Sequence, residues 1–178
     1  MNAMKKILAL ALAGVMALAL LTGCGTGGSA SHKSIAKAME DYDRVIEVNP
    51  DITYISSAEL DAKLQQLAAA KTEFETVVKA VYNNDSTALS AIRSNLSSSL
   101  TLSGKVVYFY CGKYDKDAGK QAFNLNARGH SACISSTSNL DDERQIGLIT
   151  TSFTDDTTHE KVKVRFAVVV SDKPTPTP

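Results

Sequence analysis

The chain has no tryptophan, only four prolines and three cysteines, and 6% aromatic residues among its 178. Each shortage excludes something. Few aromatics and no tryptophan leave little from which to build an aromatic platform for carbohydrate. Acids and bases balance at 19 each, and no run of lysine or arginine occurs, so nothing in the charge favours nucleic acid. No G-x-S-x-G elbow, H-E-x-x-H helix or C-x-x-C pair is present, and the glycine-rich stretch 25–28 does not lie between a strand and a helix. The usual nucleophile, zinc and phosphate-loop signatures are therefore missing, and no cofactor or metal is expected.

One apolar run exists, Ile7 to Leu21, and its 15 residues fall short of a membrane span. It follows Lys5-Lys6 and closes with Leu21-Thr22-Gly23-Cys24. A basic start and a short apolar core read as a signal peptide. With small residues leading into a cysteine, the segment resembles a bacterial lipoprotein signal peptide ending in a lipobox. That resemblance implies a diacylglyceryl group on the thiol of Cys24 and cleavage just before it. Two acyl chains suffice for stable anchoring where one is marginal. The bilayer is thus the first expected partner, and the location is the cell membrane, facing outside the cytoplasm. Removal of residues 1–23 costs two lysines and leaves 17 bases against 19 acids, a net charge of −2. No polybasic sequence assists the anchor.

Residues 24–33 form a Gly/Ser tether, and 34–172 read as a single α+β domain. Its first part, 34–102, is helical in pattern. Ile35, Met39, Tyr42 and Ile46 mark one amphipathic stripe, which Asn49-Pro50-Asp51 breaks. Ser56-Ser57-Ala58-Glu59 carries a capping-box spacing ahead of a second stripe, Leu60, Leu64, Leu67, Lys71, Phe74, Val78 and Val81. Asn83-Asn84-Asp85-Ser86 ends that helix and caps a third, with Leu89, Ile92, Leu96 and Leu100. From 105 to 171 the period becomes twofold, predicting an antiparallel sheet of four to five strands under the helical layer. Candidate strands are Lys105–Cys111, Ala122–Ala127, Ser131–Ser136, Ile146–Phe153 and Lys161–Val170, the last two joined by a polar hairpin loop from Thr154 to His159. Val162, Val164, Phe166, Val168 and Val170 share the strongest core face, and the opposite face changes from Lys161, Lys163 and Arg165 to Ala167 and Val169. Residues 173–178 are a Pro/Thr tail.

Candidate chemistry is sparse. With Cys24 assigned to lipid, Cys111 and Cys133 remain as an even pair outside the cytoplasm, so a disulfide is the leading expectation. Two buried thiols or half a metal site are the alternatives. Tyr114 to Lys120 contains D-x-D-x-G, but an EF-hand register from Asp115 fails at its fifth, sixth and twelfth positions, leaving a turn. His32 lies in the tether and His159 in a loop, without evident partners. Tyr108, Tyr110 and His130 are the remaining candidates for a ligand surface. The expected function is a membrane-anchored, non-enzymatic binding or envelope-assembly module with an envelope protein as partner. The alternative is a secreted cell-surface enzyme or enzyme accessory.

Overall fold

A computed structural model describes residues 29–91, 104–126, 131–135 and 139–173. The signal segment, the first half of the tether with Cys24, the distal part of the third helical stripe, His130 and the tail from 174 lie outside the described residues.

Strand β5 (Lys161–Asp172) is the middle of a five-stranded sheet, and its sequence explains the position. Eight consecutive residues, Val164 to Ser171, are buried, which requires cover on both faces. Strand β4 (Glu143–Thr154) pairs antiparallel on one side and β2 (Lys105–Lys113) on the other. Beyond β2 lies the short antiparallel β3 (Ser131–Cys133). Beyond β4 lies β1 (Thr53–Ser56), which runs parallel to it, giving the order β1-β4-β5-β2-β3. The polar loop 155–160 closes the β4–β5 hairpin as expected, its turn held by Asp155 accepting from the amides of Thr157 and Thr158.

The fold is α+β, with helices largely N-terminal to the sheet. They cover both faces. On one, α2 (Ala58–Ala69) and α3 (Lys71–Tyr82) bring Leu60, Leu64, Phe74, Val78 and Val81 onto Phe109, Phe153, Val164, Phe166 and Val168. On the other, α1 (His32–Ile46) and α4 (Ala118–Asn126) meet Tyr110, Ile146, Leu148, Ala167 and Val169. The predicted switch along β5 is thus real: its second face is core at Ala167 and Val169 and open beyond Arg165.

Local chemistry explains the helix ends. Ser57 caps α2 by accepting from Leu60 N–H at 3.3 Å, one residue later than the Ser56–Glu59 capping-box spacing placed the cap, and Glu59 pairs with Lys63 instead of closing a box. Asp85 caps a further helical stretch, 86–91, by accepting from Thr87 and Ala88. The C-termini of α1 and α3 both finish in a Schellman turn, with Asn49 N–H on Arg44 O and Asp85 N–H on Ala80 O. The left-handed residue is Asn84 in one and Val48 in the other, at φ 51° and 52°. Asparagine tolerates that conformation; a β-branched valine does not do so freely.

Three expectations need correction. Ala122–Ala127 is no strand: residues 118–126 are helix α4, begun by Asp117, which accepts from Lys120 N–H at 2.9 Å. Over six residues, Phe123 and Leu125 fit twofold alternation, but the Ala122–Leu125 pair that reaches the core has helical spacing. The stripe from Leu60 to Val81 is two helices, because Ala70 leaves helical geometry at φ −85°, ψ 71°. Lys71, its one polar member, is exposed at the break. In α1 the buried side is Ile35, Ala36, Met39, Glu40 and Asp43, while Ile46 is exposed. Buried partners pull the two acids inward.

Two strand glycines set the helix–sheet spacing. A Cβ on Gly147 would stand 2.6 Å from Leu60 C and 2.8 Å from Asp61 N, both backbone of α2. One on Gly112 would meet the backbone of Asn124 and Leu125 in α4. Each face of the sheet thus carries one notch that receives a helix.

Candidate functional site

The polar groups of the molecule gather in two places. The first is a buried network under the C-terminal half of α1. Arg144, 2% exposed, donates to Asp43 Oδ2 at 2.8 Å and reaches both oxygens of Glu47 at 2.7 and 2.8 Å. Its Nε donates to Asp141 O at 2.9 Å. Asp43 also accepts from Tyr54 Oη at 2.6 Å and Asn126 Nδ2 at 2.9 Å. Burial raises the Asp43 carboxyl above the ordinary aspartate range, against the pull of Tyr54 and Arg144. The Arg144 guanidinium is also desolvated, yet Glu47 and Tyr54 hold it above its usual value and fully charged. One turn earlier in α1, Glu40 accepts from Tyr54 N–H at 3.0 Å and pairs with Lys37 and Arg44. Each named donor and acceptor has a partner, and together they fasten α1 to β1, β4 and α4. This is structural chemistry.

The second is the open end of the sheet, past the edge of α1 and α4. Lys161, Lys163 and Arg165 project from alternate positions of β5 toward one side. Register places Thr154, Ser152 and Thr150 of β4 directly opposite them, in that order. Both lysines and both threonines are exposed. On the β2 side, Tyr114 lies with its ring 3.9 Å from Lys163 Nζ and 5.3 Å from Arg165 Cζ. Arg165 itself is 4% exposed; among the described residues its hydrogen-bond partner is Ser29 Oγ at 3.4 Å, and its Nε has none. Burial pulls its pKa below the ordinary arginine value, with Tyr114 and Asp61 acting the other way. Tyr114 Oη also donates to Ser29 Oγ at 3.0 Å.

His32 stands at the same end. It is the first residue of α1, not part of a tether, and its Nδ1 is 2.8 Å from Asp61 Oδ2. Asp61 Oδ1 accepts from Leu148 N–H at 2.7 Å, the next amide along β4 after the short β1 ladder ends at Ile146. Sequence reading missed this pair, since a partner 29 positions away leaves no local signal. The three bases Lys161, Lys163 and Arg165 were placed on one strand face from the sequence, but not read as a cationic patch, because they form no run.

The other predicted residues separate. Tyr108 and Tyr110 stack with centroids 6.0 Å apart, but Tyr110 is buried under α1 and α4, and desolvation pushes its phenol well above the ordinary range. Tyr108 is half-buried against the same core. The Cys111–Cys133 bridge is not formed. Cys133 lies opposite Tyr108, three residues along β2 from Cys111, an offset of about 10 Å that also reverses the face. A bridge needs Cα atoms within about 7 Å. Cys111 is a buried thiol in the α2–α3 core, where desolvation raises its pKa well above the ordinary range. Asp115 and Asp117 serve the turn before α4, as read. Among the described residues no three His, Cys, Asp or Glu gather as metal ligands, and no helix is long and apolar enough to cross a membrane.

Comparison with protein-family models, with curated proteins and with solved structures finds no match in any of the three. Function therefore rests on the residues themselves.

Proposed function

We propose that this chain is a membrane-anchored extracytoplasmic lipoprotein whose folded part is a non-enzymatic binding or envelope-assembly module. The observation that carries the reading is the N-terminal pattern, Lys5-Lys6, the apolar Ile7–Leu21 and Leu21-Thr22-Gly23-Cys24. The start of the domain supports it. Ala30 N–H already bonds Lys116 O at 2.8 Å, and Ser29 is held by Tyr114 and Arg165. Ser29 follows Cys24 by five positions, a reach of at most about 18 Å. An acylated Cys24 would hold the domain against the bilayer rather than on a stalk. Replacing Cys24 with alanine moves the protein out of the membrane fraction or leaves it unprocessed. Unchanged cleavage and membrane retention would refute the reading.

The second reading, a cell-surface enzyme or enzyme accessory, draws on His32 and Asp61. A carboxylate fixed by a backbone amide and holding one imidazole nitrogen suits a general base. The hydroxyls nearest in sequence, Ser31 and Ser34, are engaged at the α1 cap: Ser31 accepts from Ser34 N–H, and Ser34 Oγ donates to Ser31 O. A hydrolytic activity of the purified chain abolished by His32→Gln would favour this reading over the first.

A further inference from the structure

We infer that the open end of the sheet, Lys161, Lys163 and Arg165 with the hydroxyls of Thr150, Ser152 and Thr154, docks on the phosphate headgroups of the anionic bilayer that carries Cys24. The inference rests on the lipoprotein reading and gives its domain an orientation.

Charge is the first argument. The processed chain has a net charge of −2, so an anionic surface repels it on average. Three cations on one face within five residues make this end the exception. Nearby acids are already engaged: Asp61 by His32 and Leu148 N–H, Asp155 by its own turn, Asp156 by Lys79, and Asp115 and Asp117 by the amides before and within α4. Glu75 reaches the rim, accepting from Thr154 N–H at 3.1 Å and lying 3.7 Å from Lys79, and Glu160 adjoins Lys161 in sequence.

Donor chemistry is the second. A guanidinium carries five N–H donors in a fixed fork that matches phosphate oxygens. Arg165 is 96% removed from solvent, its Nε is unpartnered among the described residues, and its contact to Ser29 is long at 3.4 Å. Among the described residues no carboxylate lies in ion-pair contact with it, whereas Arg144, equally buried, has two. Leaving a buried charged donor unmet is costly, and the site is complete only when an anion approaches. Hydroxyls opposite each cation add neutral donors for the remaining phosphate oxygens.

Position is the third. Chain arithmetic places this end, through Ser29, within about 18 Å of the acylated residue. Surface attraction decays within roughly 8 Å at physiological salt, so only a face brought this near is used. The N-terminus of α1 lies at this end and its C-terminus points away, toward the exposed Val45, Ile46 and Val48.

The test uses the full-length chain with Cys24→Ala, which takes no acyl group whatever the fate of the lipobox. It is titrated onto vesicles of phosphatidylcholine alone and of phosphatidylcholine with an equal part phosphatidylglycerol. The Ile7–Leu21 segment contributes background on both, and the gain on anionic vesicles is the readout. Lys161→Gln and Lys163→Gln together should cut that gain, roughly fivefold per lysine. The pair Lys63→Gln and Lys71→Gln, on α2 and α3, should leave it intact. Equal losses in both pairs, or none in the first, overturn the proposal. If inorganic phosphate abolishes the gain at matched ionic strength, the site belongs to a free phosphate and the docking surface is likewise refuted. Lipidation is scored separately as acyl mass on Cys24 of the native sequence. A charge-selective gain without that mass removes the bilayer, and the proposal falls with the reading beneath it.

Discussion

Replacing Gly147 with alanine puts a methyl group where α2 already lies. The new Cβ would stand 2.6 Å from Leu60 C and 2.8 Å from Asp61 N, so backbone rather than a pliant side chain must yield. Overpacking of this kind costs about 1–3 kcal/mol. Pushing α2 outward also stretches the Asp61 bond to Leu148 N–H, now 2.7 Å, and a lost bond of that type adds about 1–3 kcal/mol. The expected destabilisation is therefore about 2–6 kcal/mol, a large part of a typical domain's total. Gly119→Ala is the matched control. There the nearest atom to the new Cβ is Asp117 Oδ1 at 3.5 Å, an ordinary contact, and the residue is helical. Alanine should be neutral or stabilise by up to about 1 kcal/mol. Urea unfolding followed by circular dichroism, with equal m-values, measures both. A Gly147→Ala loss below about 1 kcal/mol would refute the notch argument.

Further expectations concern strain, thiols and pH. Val48→Asn should stabilise by about 1 kcal/mol, because asparagine accepts the left-handed turn that Asn84 already occupies; a destabilised variant would show that Val48 makes a contact worth its strain. Non-reducing mass spectrometry of the native protein should find no Cys111–Cys133 link, and Cys111 should resist alkylation until the chain unfolds. Burial pushes the Glu40 carboxyl upward, but Lys37, Tyr54 N–H and Arg44 outweigh it and hold its pKa below the ordinary glutamate value. Stability from a depressed carboxyl is present above the unfolded-state pKa and lost as pH falls through the folded one. The gap between wild type and Glu40→Gln should then be widest near neutral pH and close in acid; a gap that widens in acid contradicts this.

What was legible in the sequence follows the range of the forces involved. The β5 core face, the Asp85 cap and the Thr154–His159 hairpin are set by neighbours within a few positions and were readable, as was the start of α2 to within one residue, its cap being Ser57 and not Ser56. Strand β1 was not, since four residues give no period and its partner, β4, lies 90 positions on. Nothing local marks Glu40 and Asp43 as buried, because their partners, Tyr54 and Arg144, come from other elements. The disulfide expectation failed for a related reason: cysteine count and compartment fix whether a bridge is permitted, while register decides whether the two thiols meet. His32 and Asp61 show the same limit at the candidate site. By contrast, Lys161, Lys163 and Arg165 were legible as one strand face; what was hidden is that the two lysines stay exposed while Arg165 is buried against Tyr114 and Ser29.

The central claim is that Cys24 tethers this fold to a bilayer at its cationic end. Mass spectrometry of the N-terminal peptide from membrane-extracted protein tests it most directly. The account predicts a chain beginning at Cys24 with a diacylglyceryl mass on its sulfur. A mature chain starting elsewhere, or beginning at Cys24 with an unmodified thiol, would contradict it.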